Sequence, residues 1–128
     1  MAVRSIVPNL PARNPAALAL FYQQVFGLDV VHDMGWITFL GGPAQANARL
    51  QLATQGGSDT PLPAASILVD DLDAALQNLR ALGHAPVYGP VTEPWGIRRF
   101  FLRDPDGNLI NVAAHSDHTS DPSDPSDA

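Results

Sequence analysis

The sequence predicts an α+β fold made of two paired β-α-β-β-β modules, and three observations carry that expectation. Residues 5–53 and 64–114 each run through an apolar strand, an amphipathic helix stopped by glycine, and further short strands. Apolar residues make up 45% of the 128, enough for one domain with its own core. The second copy closes on two strand-like runs joined by Asp104-Pro105-Asp106-Gly107, a turn sequence. The expected organisation is a single domain over 1–115, with modules at about 3–55 and 62–115, followed by an acidic Ser/Asp/Pro tail at 116–128.

In the first module a strand is expected at 5–10. A helix at 15–26 follows, with Asn14 as N-cap, Pro15 at the first helical position and Gly27 as the left-handed stop. Leu18, Phe21, Tyr22 and Val25 form its apolar stripe. Strands at 28–32, 36–40 and 48–53 come next, interrupted by the loop at Gly41-Gly42-Pro43, and the run at 56–61 links the modules. The second module repeats the order: a strand at 64–69, then a helix capped by Asp70 or Asp71 and ended by Gly83. That helix carries Leu72, Ala75, Leu76, Leu79 and Leu82 at helical spacings, and strands at 87–91, 98–103 and 109–114 follow it.

Residues two apart share one face of a strand. Ile6, Leu10, Ile37, Phe39, Leu50, Leu52, Ile67, Val69, Ile110 and Val112 are the more apolar set, expected beneath the helices. The opposite, concave face then receives Asn9, Trp36, Thr38, Gln51, Ser66, Leu68, Asn111 and Ala113. Pairing Leu102 with Leu109 sets Phe100 opposite Asn111 and adds Arg98 to that face, while a slip of one residue exchanges Arg98 for Arg99.

Composition narrows the function. No apolar run reaches the roughly 18 residues that span a bilayer, and the N-terminus lacks a signal peptide's apolar core. The absence of cysteine removes disulfides and thiolate chemistry and suits a cytoplasmic location. The net charge of −6 includes Asp117, Asp121, Asp124 and Asp127 of the tail, whose composition predicts flexibility. All seven basic residues are arginines, scattered rather than clustered, so neither nucleic acid nor a membrane is an expected partner.

Two segments resemble the vicinal oxygen chelate superfamily of glyoxalases, bleomycin-resistance proteins and extradiol dioxygenases. They are Asn9-Leu-Pro-Ala-Arg-Asn-Pro-Ala-Ala-Leu-Ala-Leu-Phe-Tyr22 with Val25-Phe-Gly-Leu-Asp29, and Phe100-Phe-Leu-Arg-Asp-Pro-Asp-Gly-Asn-Leu-Ile-Asn111. The resemblance implies modules curled around a cleft, usually in a homodimer, and in the enzymes a divalent metal held from the first and fourth strands of each module. Those places fall on Ser5, Gln51, Ala64 and Asn111. Alanine has no donor atom and a serine hydroxyl is a poor ligand, so the expected cofactor is none, and the resemblance points to the metal-free ligand-binding members. His32, His84, His115 and His118 form no two-apart strand pair that would replace the missing ligands.

The residues left on the concave face suit a flat organic molecule: Trp36 and Trp95 as stacking surfaces, Phe100 as a wall, and Gln51, Ser66, Arg98 and Asn111 as polar anchors. Trp95-Gly96-x-Arg98 with the following hairpin looks like the corresponding element of antibiotic-sequestering members. The leading expectation is metal-independent binding of a planar or aromatic small molecule, with antibiotic or toxic-metabolite sequestration as its role, in a homodimer. The alternative is a metal-dependent lyase, isomerase or dioxygenase of the same superfamily. A third reading makes Glu93 or His32 the base of a metal-independent enzyme.

Overall fold

The computed structural model describes residues 1–42 and 48–116. The tail expectation and His118 therefore lie outside the described residues. Among the described residues, eight strands and two helices follow one another as β1 (Val3–Pro11), α1 (Pro15–Phe26), β2 (Asp29–Asp33), β3 (Ile37–Gly41), β4 (Arg49–Ala53), β5 (Ala65–Val69), α2 (Leu72–Ala81), β6 (Tyr88–Thr92), β7 (Ile97–Arg103) and β8 (Leu109–His115). The α+β class and the repeated β-α-β-β-β order are those read from the sequence. Two compact units divide the chain, Val7–Leu62 and the chain from Pro63 onward, and the opening residues Met1–Ile6 group with the latter. No described helix is long and apolar enough to cross a membrane.

In the first unit the strands lie in the order β2-β3-β4-β1, with β1 parallel to β4 and the other neighbours antiparallel. Helix α1 begins where Asn14 accepts the backbone N–H of Ala17 and ends where Gly27 takes a left-handed φ of 69°. Its buried side is Pro15, Leu18, Ala19 and Tyr22, the last three of which pack with Leu10, Ala12, Leu40, Leu50 and Leu52. Phe21 and Val25, expected in the covered stripe, point outward and are 56% and 55% exposed.

The register on β3 also differs from the expectation. Leu40 lies opposite Leu50 and Thr38 opposite Leu52, so these four share the helix side, while Phe39 lies opposite Gln51 and Ile37 opposite Ala53. The strand is buried along its whole length, so hydrophobicity alone does not distinguish its two faces. Ile6 is exposed rather than beneath a helix.

In the second unit the order is β5-β8-β7-β6, again with the first and last strands of the module, β5 and β8, parallel. Asp71 caps α2 by accepting the Ala74 N–H, and the helix buries Leu72 and Leu76, with Ala75 and Leu79 against the same cluster. Leu82, expected to continue the stripe, is the exposed C-cap. The core beneath α2 comprises Ile67, Val69, Phe100, Leu102, Ile110, Val112 and Ala114. Burying a large aliphatic or aromatic side chain of this kind contributes about 1.5–3 kcal/mol.

Candidate functional site

The strand pairing brings one side chain from each strand into a row on the helix-free side of each module. In the first, Asn9 pairs with Gln51, Gln51 with Phe39, and Phe39 with His32. In the second, Ser66 pairs with Asn111, Asn111 with Phe101, and Phe101 with Tyr88. The rows correspond strand for strand: a small polar residue, an amide, a phenylalanine and a second ring. Their ring pairs are set alike, with His32–Phe39 centroids 5.4 Å apart at 42° and Tyr88–Phe101 centroids 4.9 Å apart at 44°.

The sequence-based alignment of β7 on β8 was off by one residue. Arg103, not Leu102, faces Leu109, so Phe101 rather than Phe100 faces Asn111. The cause is the turn. Asp104 N–H donates to the Asn108 carbonyl, and Pro105, Asp106 and a left-handed Gly107 (φ 87°) form a three-residue loop inside that pair. Phe100 consequently packs with Leu72 and Leu76 of α2. Arg98 reaches the same side, where its Nη1 lies 2.9 Å from Asp73 Oδ1 in a solvent-exposed pair. Neither belongs to the helix-free face to which the sequence reading assigned them.

Arg99 occupies the place expected for Arg98. It is 3% exposed, and its Nε and Nη2 donate to Glu93 Oε2 at 2.7 and 2.6 Å. Tyr88 Oη donates to the same oxygen at 2.8 Å. The guanidinium carbon stands 4.7 Å from the Phe101 ring centroid, 5.1 Å from Trp95 and 5.5 Å from Tyr88. A buried charge is tolerable only when paired and hydrogen-bonded, and both conditions hold here. Arg99 is thus the cation inside a box of aromatic rings, and Glu93 fixes its plane.

Glycine at position 89 makes room for this cluster. A Cβ there would stand 2.6 Å from the Arg99 carbonyl oxygen, and the residue has φ of 73°. The register irregularity between Tyr88 and Val91 falls at the same point, so β6 brings Tyr88 against Phe101 and still returns to pair with Arg99.

Trp95, in the turn between β6 and β7, is half-buried and stands against Leu68, Ile97 and Ala113 as well as the guanidinium. Trp36 is half-buried in the bend before β3 rather than in a strand, and its carbonyl accepts the Thr54 N–H. Ser66 and Asn111 are buried side by side, Asn111 Nδ2 donating to Ser66 Oγ at 3.1 Å. The other end of that amide, Asn111 Oδ1, is buried without a hydrogen-bond partner. An unmatched buried acceptor costs about 1–3 kcal/mol.

The chemistry of the donor set bears on whether a metal fits here. The paired residues on first and fourth strands are Asn9 with Gln51 and Ser66 with Asn111, all neutral amides or hydroxyls. Ser66, not Ala64, lies beside Asn111, because β5 starts only at Ala65. Among the described residues, no three His, Cys, Asp or Glu side chains come together. Neutral oxygens of this kind do not suit retention of a divalent transition ion. As a general base Glu93 is also poorly placed, because three donors already converge on its Oε2. Glu93 is 4% exposed.

Tyr88 and Phe101 escaped the sequence reading, which named Phe100, and Arg99 entered it only as the one-residue-slip alternative to Arg98. The signal that finds them is the length of the Asp104–Asn108 turn, since closing it correctly shifts every β7 side chain to the other face.

Comparison with known proteins agrees with this architecture. A bleomycin resistance protein of Klebsiella pneumoniae is 29% identical over 118 residues, covering 82% of this chain and 87% of that protein. Among solved structures, an NAD-dependent benzaldehyde dehydrogenase from Legionella pneumophila superposes with a TM-score of 0.69 at 16% identity, over 86% of this chain and 98% of that one. Methylmalonyl-CoA epimerase from Mycobacterium tuberculosis gives 0.63 at 20% identity, over 90% and 88%. At such identities the structural matches show the fold alone. The model of the Glyoxalase/Bleomycin resistance protein/Dioxygenase superfamily matches residues 5–112, and the chain belongs to that superfamily.

Proposed function

We propose that the chain is a cytoplasmic, metal-independent binding protein for planar or aromatic small molecules, acting by sequestration. The observation that carries the reading is Trp95, a half-buried indole with the Arg99 guanidinium 5.1 Å from its ring centroid. Arg99 is itself immobilised by Glu93, so the indole is held in place before any ligand arrives. A platform ordered in advance spares the ligand the entropy of arranging it. Ser66 and Asn111, paired on β5 and β8 of the same unit, supply polar anchors. The name of the Klebsiella relative supports sequestration and makes bleomycin the first ligand to test.

Titration with bleomycin and a panel of planar aromatics, followed by tryptophan fluorescence, tests the site. Trp95→Ala is expected to weaken binding at least tenfold, about 1.4 kcal/mol, and Trp95→Phe to retain most of it. Affinity in Trp95→Ala unchanged from the parent would remove that indole from the site. About one equivalent of Zn²⁺, Ni²⁺, Mn²⁺ or Fe²⁺ per chain, retained by untagged protein after desalting, would instead favour a metal-dependent enzyme.

A homodimer is part of the proposal, supported by α1. This helix has no charged residue, and Leu20, Phe21, Val25 and Phe26 are each more than half exposed. Val30 and Val31 of β2 are exposed in the same unit. An uncharged apolar face can meet its own copy without like-charge repulsion, whereas the Ser/Asp/Pro tail has no large apolar side chain with which to cover it.

A further inference from the structure

We infer that Asn111 is a specificity-determining residue and that the ligand class is planar molecules carrying a hydrogen-bond donor, an O–H or N–H, rather than bare aromatic hydrocarbons. The inference rests on the aromatic-binding reading above and sharpens it.

Asn111 lies on β8 between Ile110 and Val112, both of which pack beneath α2, and its own side chain shares the opposite face with Ala113 and Phe101. Fold stability alone favours an aliphatic side chain there. The amide instead is 3% exposed, bonds Ser66 Oγ through Nδ2, and leaves Oδ1 without a partner. A folded chain ordinarily matches its buried acceptors, and one left unmatched is stabilised by a partner from outside the chain. The surroundings limit what that partner can be. Asn111 is next to Phe101 in its row, and Phe101 adjoins Tyr88 and the guanidinium that backs Trp95. These rings favour a flat aromatic partner, and a donor at the edge of that partner is what Oδ1 lacks.

Thr38 Oγ1 is also buried and unmatched, but it lies on the α1 side of β3 opposite Leu52, away from the ring row. It carries no comparable inference. A site that hydrogen-bonds a ligand hydroxyl rejects the analogue lacking it far more strongly than an apolar pocket separates two hydrocarbons.

The test compares 2-naphthol with 2-methylnaphthalene, which are matched in size and differ in the donor. Dissociation constants are measured by calorimetry for the full chain and for Asn111→Leu, with Asn111→Ala replacing the latter if it fails to fold. The expected result is that the preference for naphthol over the methyl analogue, as a ratio of constants, falls at least tenfold in the variant. A ratio that moves less than tenfold, with both compounds binding, overturns the role of Asn111 and leaves the aromatic site standing. Failure of both compounds to bind the unaltered chain overturns the inference together with the aromatic-binding reading.

Discussion

Arg99 and Glu93 are the residues on which the second module's helix-free face depends. Both are buried, and three of that face's rings are arranged around the guanidinium. Removing one charge strands the other without water. Glu93→Ala is expected to destabilise the chain by about 3–5 kcal/mol, whereas the double change Arg99→Met with Glu93→Leu is expected to recover most of that loss. Urea unfolding of the two variants and the parent checks this, and a single variant within about 1 kcal/mol of the parent would mean that the pair is solvated. The same residues show the limit of reading faces from sequence. Arg98 and Arg99 are adjacent arginines flanked by apolar residues, so only the strand register decides which one is buried.

The Asp104–Asn108 turn sets that register. The Asp104 carboxylate accepts the Asn108 side-chain amide at 2.8 Å and the backbone N–H groups of Asn108 at 2.9 Å and Asp106 at 3.0 Å. The Asn108 side-chain bond, followed by its backbone bond, holds the Asp104 carboxyl below its ordinary value of 3.8. A depressed folded-state value means that the ionised form stabilises the fold. The contribution is complete above the ordinary value and is lost as pH falls below 3.8 through the lower folded value. Asp104→Ala should therefore lower the urea midpoint at neutral pH, and the gap from the parent should narrow as the pH falls below 3.8. A gap that stays constant with pH would show that the carboxylate bonds contribute nothing. The sequence reading identified the turn and its short polar residues, and its error was in the length of the loop.

For the whole molecule, the open question is how many copies assemble. Phe100, which the sequence reading assigned to the helix-free face, is fully buried under α2 and offers no apolar surface to a second copy. Support shifts to α1, where Phe21 and Val25 are four apart on one outward face. Phe21→Asp combined with Val25→Asp is expected to convert a dimer to a monomer in sedimentation equilibrium while changing stability little, because both side chains are largely solvent-exposed. A double variant that remains dimeric, or a parent that is monomeric, would remove α1 from the assembly.

By itself the sequence determined the fold class, the repeat, both helices with the caps of α1 and the N-cap of α2 to within one residue, and every strand to within one or two residues. These are local matters: apolar periodicity, capping side chains and turn-forming residues act over a few positions and are visible in any window that contains them. It also supplied the polar and aromatic candidates of which Gln51, Ser66, Trp95 and Asn111 were named. Tertiary structure alone decided that Phe39 and Phe101, not Thr38 and Phe100, lie on the helix-free rows, that Arg99 is boxed while Arg98 is solvated, and that Asn111 keeps an unmatched acceptor. The reason is that a strand buried on both sides carries no alternation by which to tell its faces apart, so pairing with distant strands chooses between them.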